Sequence, residues 1–288
     1  MTPPYEASLT FSRNVKHRKC CMESTGVDIY AILYIQIKKQ QVKQMAQFTM
    51  EIAGVPGRVR SLFESTKDYC GKYLTDREPE FSVTVRPEDL VFEQRELDEE
   101  ARQEGMKRRK FSDPFLERAA IQRAFSEAIF DRRCLLVHGS AVAVEGKAYL
   151  FTAKCGTGKS THTRLWREVF ADRAVMVNDD KPFLRLDTTQ VLACGAPWSG
   201  KHGLDTNITV PLQGICILER GEENRIRRIQ PEEAFPMLLH QSYCPLDPKK
   251  EERFHTLVEE LAGRVPLWKM ECTVDPEAAA VAWEAMGQ

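Results

Sequence analysis

The stretch "KAYLFTAKCGTGKSTHTRLWREVF", residues 147–170, constrains the fold most. An apolar run stops at two closely spaced glycines, and an amphipathic pattern starts directly after Lys-Ser. That order predicts a strand, a tight loop and a helix. Ala153 to Ser160 fits the relaxed phosphate-loop pattern. Gly156 and Gly158 let the backbone fold so that successive N–H groups converge on a phosphate chain. A helix starting near Lys159 adds its positive end. The Lys159 ammonium can reach the β- and γ-phosphates, and the Ser160 hydroxyl can ligate Mg²⁺. Ala153 stands where the pattern often has glycine, and that position needs only a small residue. Lys154, Cys155, Thr157 and Thr161 complete the candidate nucleotide-binding stretch, with Cys155 read as a small filler rather than a nucleophile.

Two further elements flank the loop. "VNDDKP" places Asp179 and Asp180 after an apolar run, at a predicted strand end. Asp179 lies one helix and one returning strand beyond Lys159, where a carboxylate can hold Mg²⁺ opposite Ser160. Asp180 is then available as a base for an acceptor hydroxyl. The competing reading is a polar turn leading into Pro182. Upstream, His138 in "LLVHGS" ends another strand-like run and can reach the same site, although an isolated histidine is often structural. Downstream, "GAPWSGKHGLDTNITVPL" (195–212) is glycine-rich and polar. It reads as a mobile lid or acceptor site, with Lys201 supplying positive charge to the transition state, or as an ordinary surface loop.

Composition limits the partners. The chain has 288 residues, enough for one large or two small domains, and a net charge of −1. That charge gives no bulk electrostatic case for nucleic acid or an anionic membrane. Nine cysteines are scattered without a CxxC pair or zinc-type spacing, which favours a reducing, cytoplasmic setting. The apolar run at 26–37 is shorter than the ~20 residues a bilayer span requires.

Residues 1–44 differ in charge, carrying +4 and leaving −5 for the rest. They read as a tail or as an upstream extension from a misassigned start. Residues 45–111 form a small strand-rich region in this reading, including "FSVTVRPEDLVFEQ", with a charged connector or solvated helix over 96–111. Residues 112–288 form the main domain. It opens on a core-facing helix with Ser112 as N-cap and Pro114 in the first turn.

His138-Gly139, "AKCGTGKST" and Asp179-Asp180, in that order and spacing, resemble the C-terminal kinase domain of HPr kinase/phosphorylase. They resemble the nucleotide core of phosphoenolpyruvate carboxykinase more distantly. The likeness covers roughly residues 130–220 well and the C-terminal helices loosely. It implies an α+β fold in which a twisted, mostly antiparallel or mixed sheet is flanked by helices. It also implies ATP and Mg²⁺ as cofactors and these roles: Lys159 on the transferred phosphate, Ser160 and Asp179 on the metal, Asp180 as base, His138 orienting Asp180. Thr161 departs from the family's acidic residue after the loop serine, and the family's second signature is not found. HPr itself is therefore a doubtful substrate. The family is hexameric, so the resemblance allows a homo-oligomer.

The leading expectation is an ATP-dependent kinase acting on a hydroxyl of a small molecule or peptide, with no nucleic-acid or membrane partner. The alternative is a nucleotide-binding regulatory ATPase with no phosphoryl acceptor, which needs Asp179 but neither Asp180 nor His138. A carboxykinase lacks its arginine constellation here, and a nucleic-acid motor lacks a basic stripe.

Overall fold

A computed structural model describes residues 45–103 and 105–287, so residues 1–44 and the expectation attached to them lie outside the described residues. The chain forms two compact units that divide between Ala128 and Ile129.

In the first unit, β1 (Ala46–Ile52) and β2 (Val55–Ser61) pair as an antiparallel hairpin. Its turn residues Ala53 and Gly54 both have positive φ, 52° and 81°. β1 alternates buried and more exposed residues, the period-2 pattern of a half-buried strand. α1 (Glu64–Tyr69) follows, then β3 (Phe81–Thr84), parallel to β2. Two long helices complete the unit, α2 (Pro87–Gln103) and α3 (Asp113–Ile129). "PEDLVFEQ", expected as strand, is the start of α2. Pro87 fits a first helical turn, Glu88 and Asp89 favour its positive end, and the Asp89 carboxylate accepts from the Arg86 N–H at 2.9 Å. Ser112 does precede α3, and Leu116, Ile121, Phe125 and Ile129 are buried along it. Glu117, also buried, accepts hydrogen bonds from the Leu62 N–H and the Thr66 hydroxyl and so ties α3 to the start of α1.

The second unit is built on a mixed sheet. Its strands are β4 (Cys134–Leu136), β5 (Ser140–Val144), β6 (Lys147–Thr152), β7 (Ala174–Asn178), β8 (Phe183–Leu186), β9 (Val191–Cys194), β10 (Thr209–Arg220), β11 (Arg225–Arg228) and β12 (Leu267–Cys272). The order runs β4-β8-β9-β10-β6-β5-β7, with β12 joining β10 and β11. Only β10–β6 and β10–β12 are parallel among the described pairs of this sheet, so the parallel part lies at its centre. The helices are α4 (Lys159–Phe170), α5 (Pro231–Gln241), α6 (Glu251–Arg264) and α7 (Glu277–Met286).

The strands β4, β5 and β9, and β6 after its first residue, are buried on both faces, as a sheet covered on both sides requires. Along β6, Ala148 and Leu150 enter the core shared with α5 and α6, while Tyr149 and Phe151 enter the core shared with α4 and α7. Trp166 of α4 anchors the second core, with ring centres 4.8 Å from Tyr149, 5.3 Å from Phe151 and 5.9 Å from Trp283.

"CLLVHGSAVAVEG" is one continuous, largely apolar run in the sequence. In the fold it divides: β4 pairs with β8, and β5 pairs with β6 and β7. The crossing is at Val137–Gly139. A Cβ on Gly139 would lie 2.7 Å from Leu150 Cδ1 and 3.1 Å from the Phe151 carbonyl, so only glycine passes there.

Candidate functional site

β6 ends at Thr152, and the chain turns through Ala153 to Gly158 before α4 begins at Lys159. Ala153 is fully buried, which explains the need for a small side chain. The Thr157 N–H reaches back to the Lys154 carbonyl at 3.3 Å. Gly156 (φ 71°) and Gly158 (φ 123°) occupy backbone regions that favour glycine. α4 has no side-chain cap, so the N–H groups of its first turn lack that partner. Lys159 is buried and donates to the Ala153 carbonyl at 3.3 Å, while Ser160 is exposed. Arg220, at the end of β10, donates to the carbonyls of Gly156 and Thr157.

The acidic pair follows β7, and Asn178 fixes its turn. The Asn178 side-chain oxygen accepts from the N–H groups of Asp180 (2.8 Å) and Lys181 (2.6 Å), and its amide donates to the Ala196 carbonyl at 2.7 Å. Asp179 is buried. Its Oδ1 accepts from Ser140 at 3.3 Å, and Ser140 in turn meets Thr163 of α4 at 2.7 Å. Burial pushes the Asp179 carboxyl above its ordinary range and the neighbouring Asp180 adds to this; Ser160, His202 and Ser140 oppose the shift. Its Oδ2 has no hydrogen-bond partner among the described residues.

His138 is fully buried, with Nε2 3.3 Å from Asp180 Oδ1, close but off the line of a well-formed hydrogen bond. Burial depresses the His138 pKa to about 4 despite that carboxylate, so the ring is neutral at pH 7. Burial alone would raise Asp180. The His138 contact, then the charges of Lys181 and Lys159, outweigh it and hold Asp180 below the ordinary carboxylate range.

The structure therefore brings His138, Lys159, Asp179 and Asp180 into one electrostatic neighbourhood, with Ser160 near Asp179. Lys201 is placed differently: it is exposed, in a turn closed by the Gly203 N–H on the Gly200 carbonyl at 2.9 Å. The neighbouring His202 acts on Asp179, lowering its pKa. The expected lid is tethered along the open edge of β7. The Asp179 N–H bonds the Leu204 carbonyl at 3.0 Å, and the Thr206 N–H bonds the Val177 carbonyl at 3.2 Å. Edge strands need such cover. His162, in the first turn of α4, is a core residue: it accepts from the Trp166 indole N–H at 3.2 Å and packs on Phe151. Arg164 pairs with Glu168.

Sequence reasoning missed Ser140, Asn178, Lys181 and Arg220. Asn178 had a usable signal, since asparagine directly before a turn commonly bonds the N–H groups that follow. Lys181 is buried beside Asp180 and stood in the quoted "VNDDKP" without a role.

Among the described residues, no group of three or more His, Cys, Asp or Glu side chains could hold a metal ion. No described helix is long and apolar enough to cross a membrane. No family model matches the chain, and no curated protein does. Among solved structures, it is weakly similar in fold to the HPr(Ser) kinase/phosphatase from Coxiella burnetii. The TM-score is 0.26 and the identity 14%, over 44% of this chain and 95% of that one.

Proposed function

We propose that the chain is a Mg²⁺-requiring, ATP-dependent phosphotransferase acting on a hydroxyl of a small molecule or peptide. The observation that carries the reading is the buried His138–Asp180 pair beside Lys159, next to a glycine loop that opens a helix.

The residues suit the metal. Asp179 is a buried carboxylate whose Oδ2 has no hydrogen-bond partner among the described residues, and the Ser160 hydroxyl is near enough to lower its pKa. Gly200 lies against that oxygen, where a Cβ would approach to 3.3 Å. Two protein oxygens completed by phosphate and water suit Mg²⁺, which binds through few protein ligands. Bound there, the ion would neutralise charge on the β- and γ-phosphate oxygens.

The chain's own residues do the rest. Lys159 offsets charge on the transferred group, and the loop and helix N–H groups orient the phosphates. Asp180 stays ionised at neutral pH and accepts the acceptor hydroxyl's proton as the new O–P bond forms and ADP leaves. A weakly basic carboxylate fits a reaction in which that proton moves late. His138, neutral, lies 3.3 Å from Asp180 and would donate to it after a small rotation of the carboxylate, fixing its orientation.

The test uses γ-labelled ATP and Mg²⁺ with pools of hydroxyl-bearing metabolites and peptides. Label should move to an acceptor with the wild type. Lys159→Ala should lose nucleotide binding, whereas Asp180→Asn should bind nucleotide and transfer nothing. Normal transfer by Asp180→Asn removes the base role, and hydrolysis without any labelled acceptor favours a regulatory ATPase.

A further inference from the structure

We propose that Arg220 is a positioning residue for the phosphate loop, presetting the loop backbone for a polyphosphate before one arrives. The proposal rests on the phosphotransferase reading of the same site.

β10 runs parallel to β6, with Ile217 level with Thr152. Three residues on, Arg220 therefore emerges beside the loop that follows β6. Its backbone is fixed on the other side by β12, where Arg220 is level with Cys272 and the Gly221 N–H bonds the Cys272 carbonyl at 3.2 Å. The preceding Glu219 pairs with Lys269 at 2.9 Å. The guanidinium thus works from a rigid base, and it donates to two consecutive loop carbonyls, Gly156 and Thr157.

Holding carbonyls determines where N–H groups point. A trans peptide is planar, and its C=O and N–H point in opposite directions. Gripping the Gly156 carbonyl turns the Thr157 N–H away from Arg220, where it makes only a long 3.3 Å bond to the Lys154 carbonyl that a phosphate oxygen can replace. Gripping the Thr157 carbonyl turns the Gly158 N–H the same way, next to the uncapped first turn of α4. Successive inward N–H groups form an anion-binding concavity. The two glycines make this backbone accessible but do not select it, because glycine adopts many conformations at similar energy. Arg220 supplies the selection from outside the loop, and its positive charge adds attraction for a polyphosphate.

The experiment measures equilibrium binding of Mg-ATP and of Mg-tripolyphosphate, which has no base or sugar. It compares wild type, Arg220→Gln, Arg220→Lys and Lys159→Ala, and records each variant's melting temperature. Arg220→Gln should weaken both ligands by the same factor, roughly tenfold as expected for lost charged hydrogen bonds, at unchanged melting temperature. Arg220→Lys should fall between, since an ammonium keeps the charge but cannot grip two carbonyls with a planar fork. The inference is overturned if Arg220→Gln and Arg220→Lys bind tripolyphosphate like the wild type while Lys159→Ala loses it. If the wild type binds neither ligand, the phosphotransferase reading fails and this inference goes with it.

Discussion

His138 Nε2 lies 3.3 Å from Asp180 Oδ1, the imidazole fully buried and the carboxylate partly open. The two residues come from the β4–β5 crossing and the β7–β8 turn. They are held together by backbone: the Gly139 N–H bonds the Asp180 carbonyl at 3.0 Å, and the Val137 N–H bonds the Pro182 carbonyl at 3.1 Å. The relation is thus built into the sheet. Removing the imidazole should leave the fold and free Asp180 to rotate. His138→Ala is expected to lower kcat by on the order of 100-fold with little change in the KM for ATP. His138→Gln, which can still donate to Asp180, should recover part of the loss. Equal losses in both variants would show that an uncharged donor is not what His138 provides.

The same pair sets a pH profile. Asp180 must be ionised to act, and its pKa lies below the ordinary carboxylate range. His138 is uncharged above about 4. At saturating Mg²⁺, which holds the raised Asp179 carboxyl ionised, transfer should therefore be flat through neutral pH, with any loss on acidification beginning below the ordinary histidine range. An acidic limb near 6.5, the ordinary histidine value, would assign a charged-state role to His138 that its burial opposes.

Gly200 offers a separate handle on the metal. A Cβ there would lie 3.3 Å from Asp179 Oδ2 and 3.6 Å from Asp180 Cβ. Its backbone has no positive φ, so alanine is tolerated by the chain. Gly200→Ala should raise the Mg²⁺ concentration needed for half-maximal turnover without lowering the melting temperature. An unchanged Mg²⁺ requirement would count against Asp179 as the metal ligand.

These residues also mark what the sequence could tell. Strand, loop and helix were legible around Lys159 because apolar periodicity and two glycines are local signals. The β5–β6 and β8–β9 hairpins turn at equally local signals, Glu145-Gly146 and Asp187. The placement of Arg220 was not, because it depends on β10 lying parallel and in register with β6, a pairing between residues far apart in the chain. Gly200 was likewise hidden: its role comes from contact with Asp179 across a loop. "PEDLVFEQ" misled because a short apolar run suits helix or strand alike. Lys201 was chosen for its charge alone, and the bearing of its neighbours Gly200 and His202 on Asp179 went unread.

The cysteines should differ sharply in reactivity. Burial pushes the Cys134 thiol up to about 12 and the Cys194 thiol to about 11, and raises Cys216 well above its ordinary value. Cys155, in the glycine loop, is exposed. Mild alkylation followed by peptide mapping should label Cys155 first among the described cysteines, because attack requires an accessible thiolate. Mg-ATP should slow that labelling if the loop closes on phosphate. Equal labelling with and without nucleotide would place the nucleotide elsewhere.

His162 tests the second unit's stability. It is buried against Phe151, accepts from the Trp166 indole, and burial lowers its pKa to about 4. The unfolded chain would titrate this group near the ordinary value of about 6.5. Between those values the unfolded state binds a proton that the folded state does not, so stability must fall as pH falls through that window and is fully present above it. The full effect of one such group is about 3 kcal/mol, an upper bound given relaxation of the buried site. His138 contributes in the same direction. Asp179, a carboxyl raised by burial, works in the opposite sense, since the folded state then holds a proton the unfolded state has released. His162→Gln isolates one term: it keeps an acceptor for the Trp166 N–H and removes the titration. Urea unfolding between about pH 7 and about pH 5 should show the variant losing less stability than the wild type by up to one proton's slope. Parallel curves for the two proteins would mean that His162 is charged in the folded state, and the aromatic core around Trp166 would then need another acceptor for its indole.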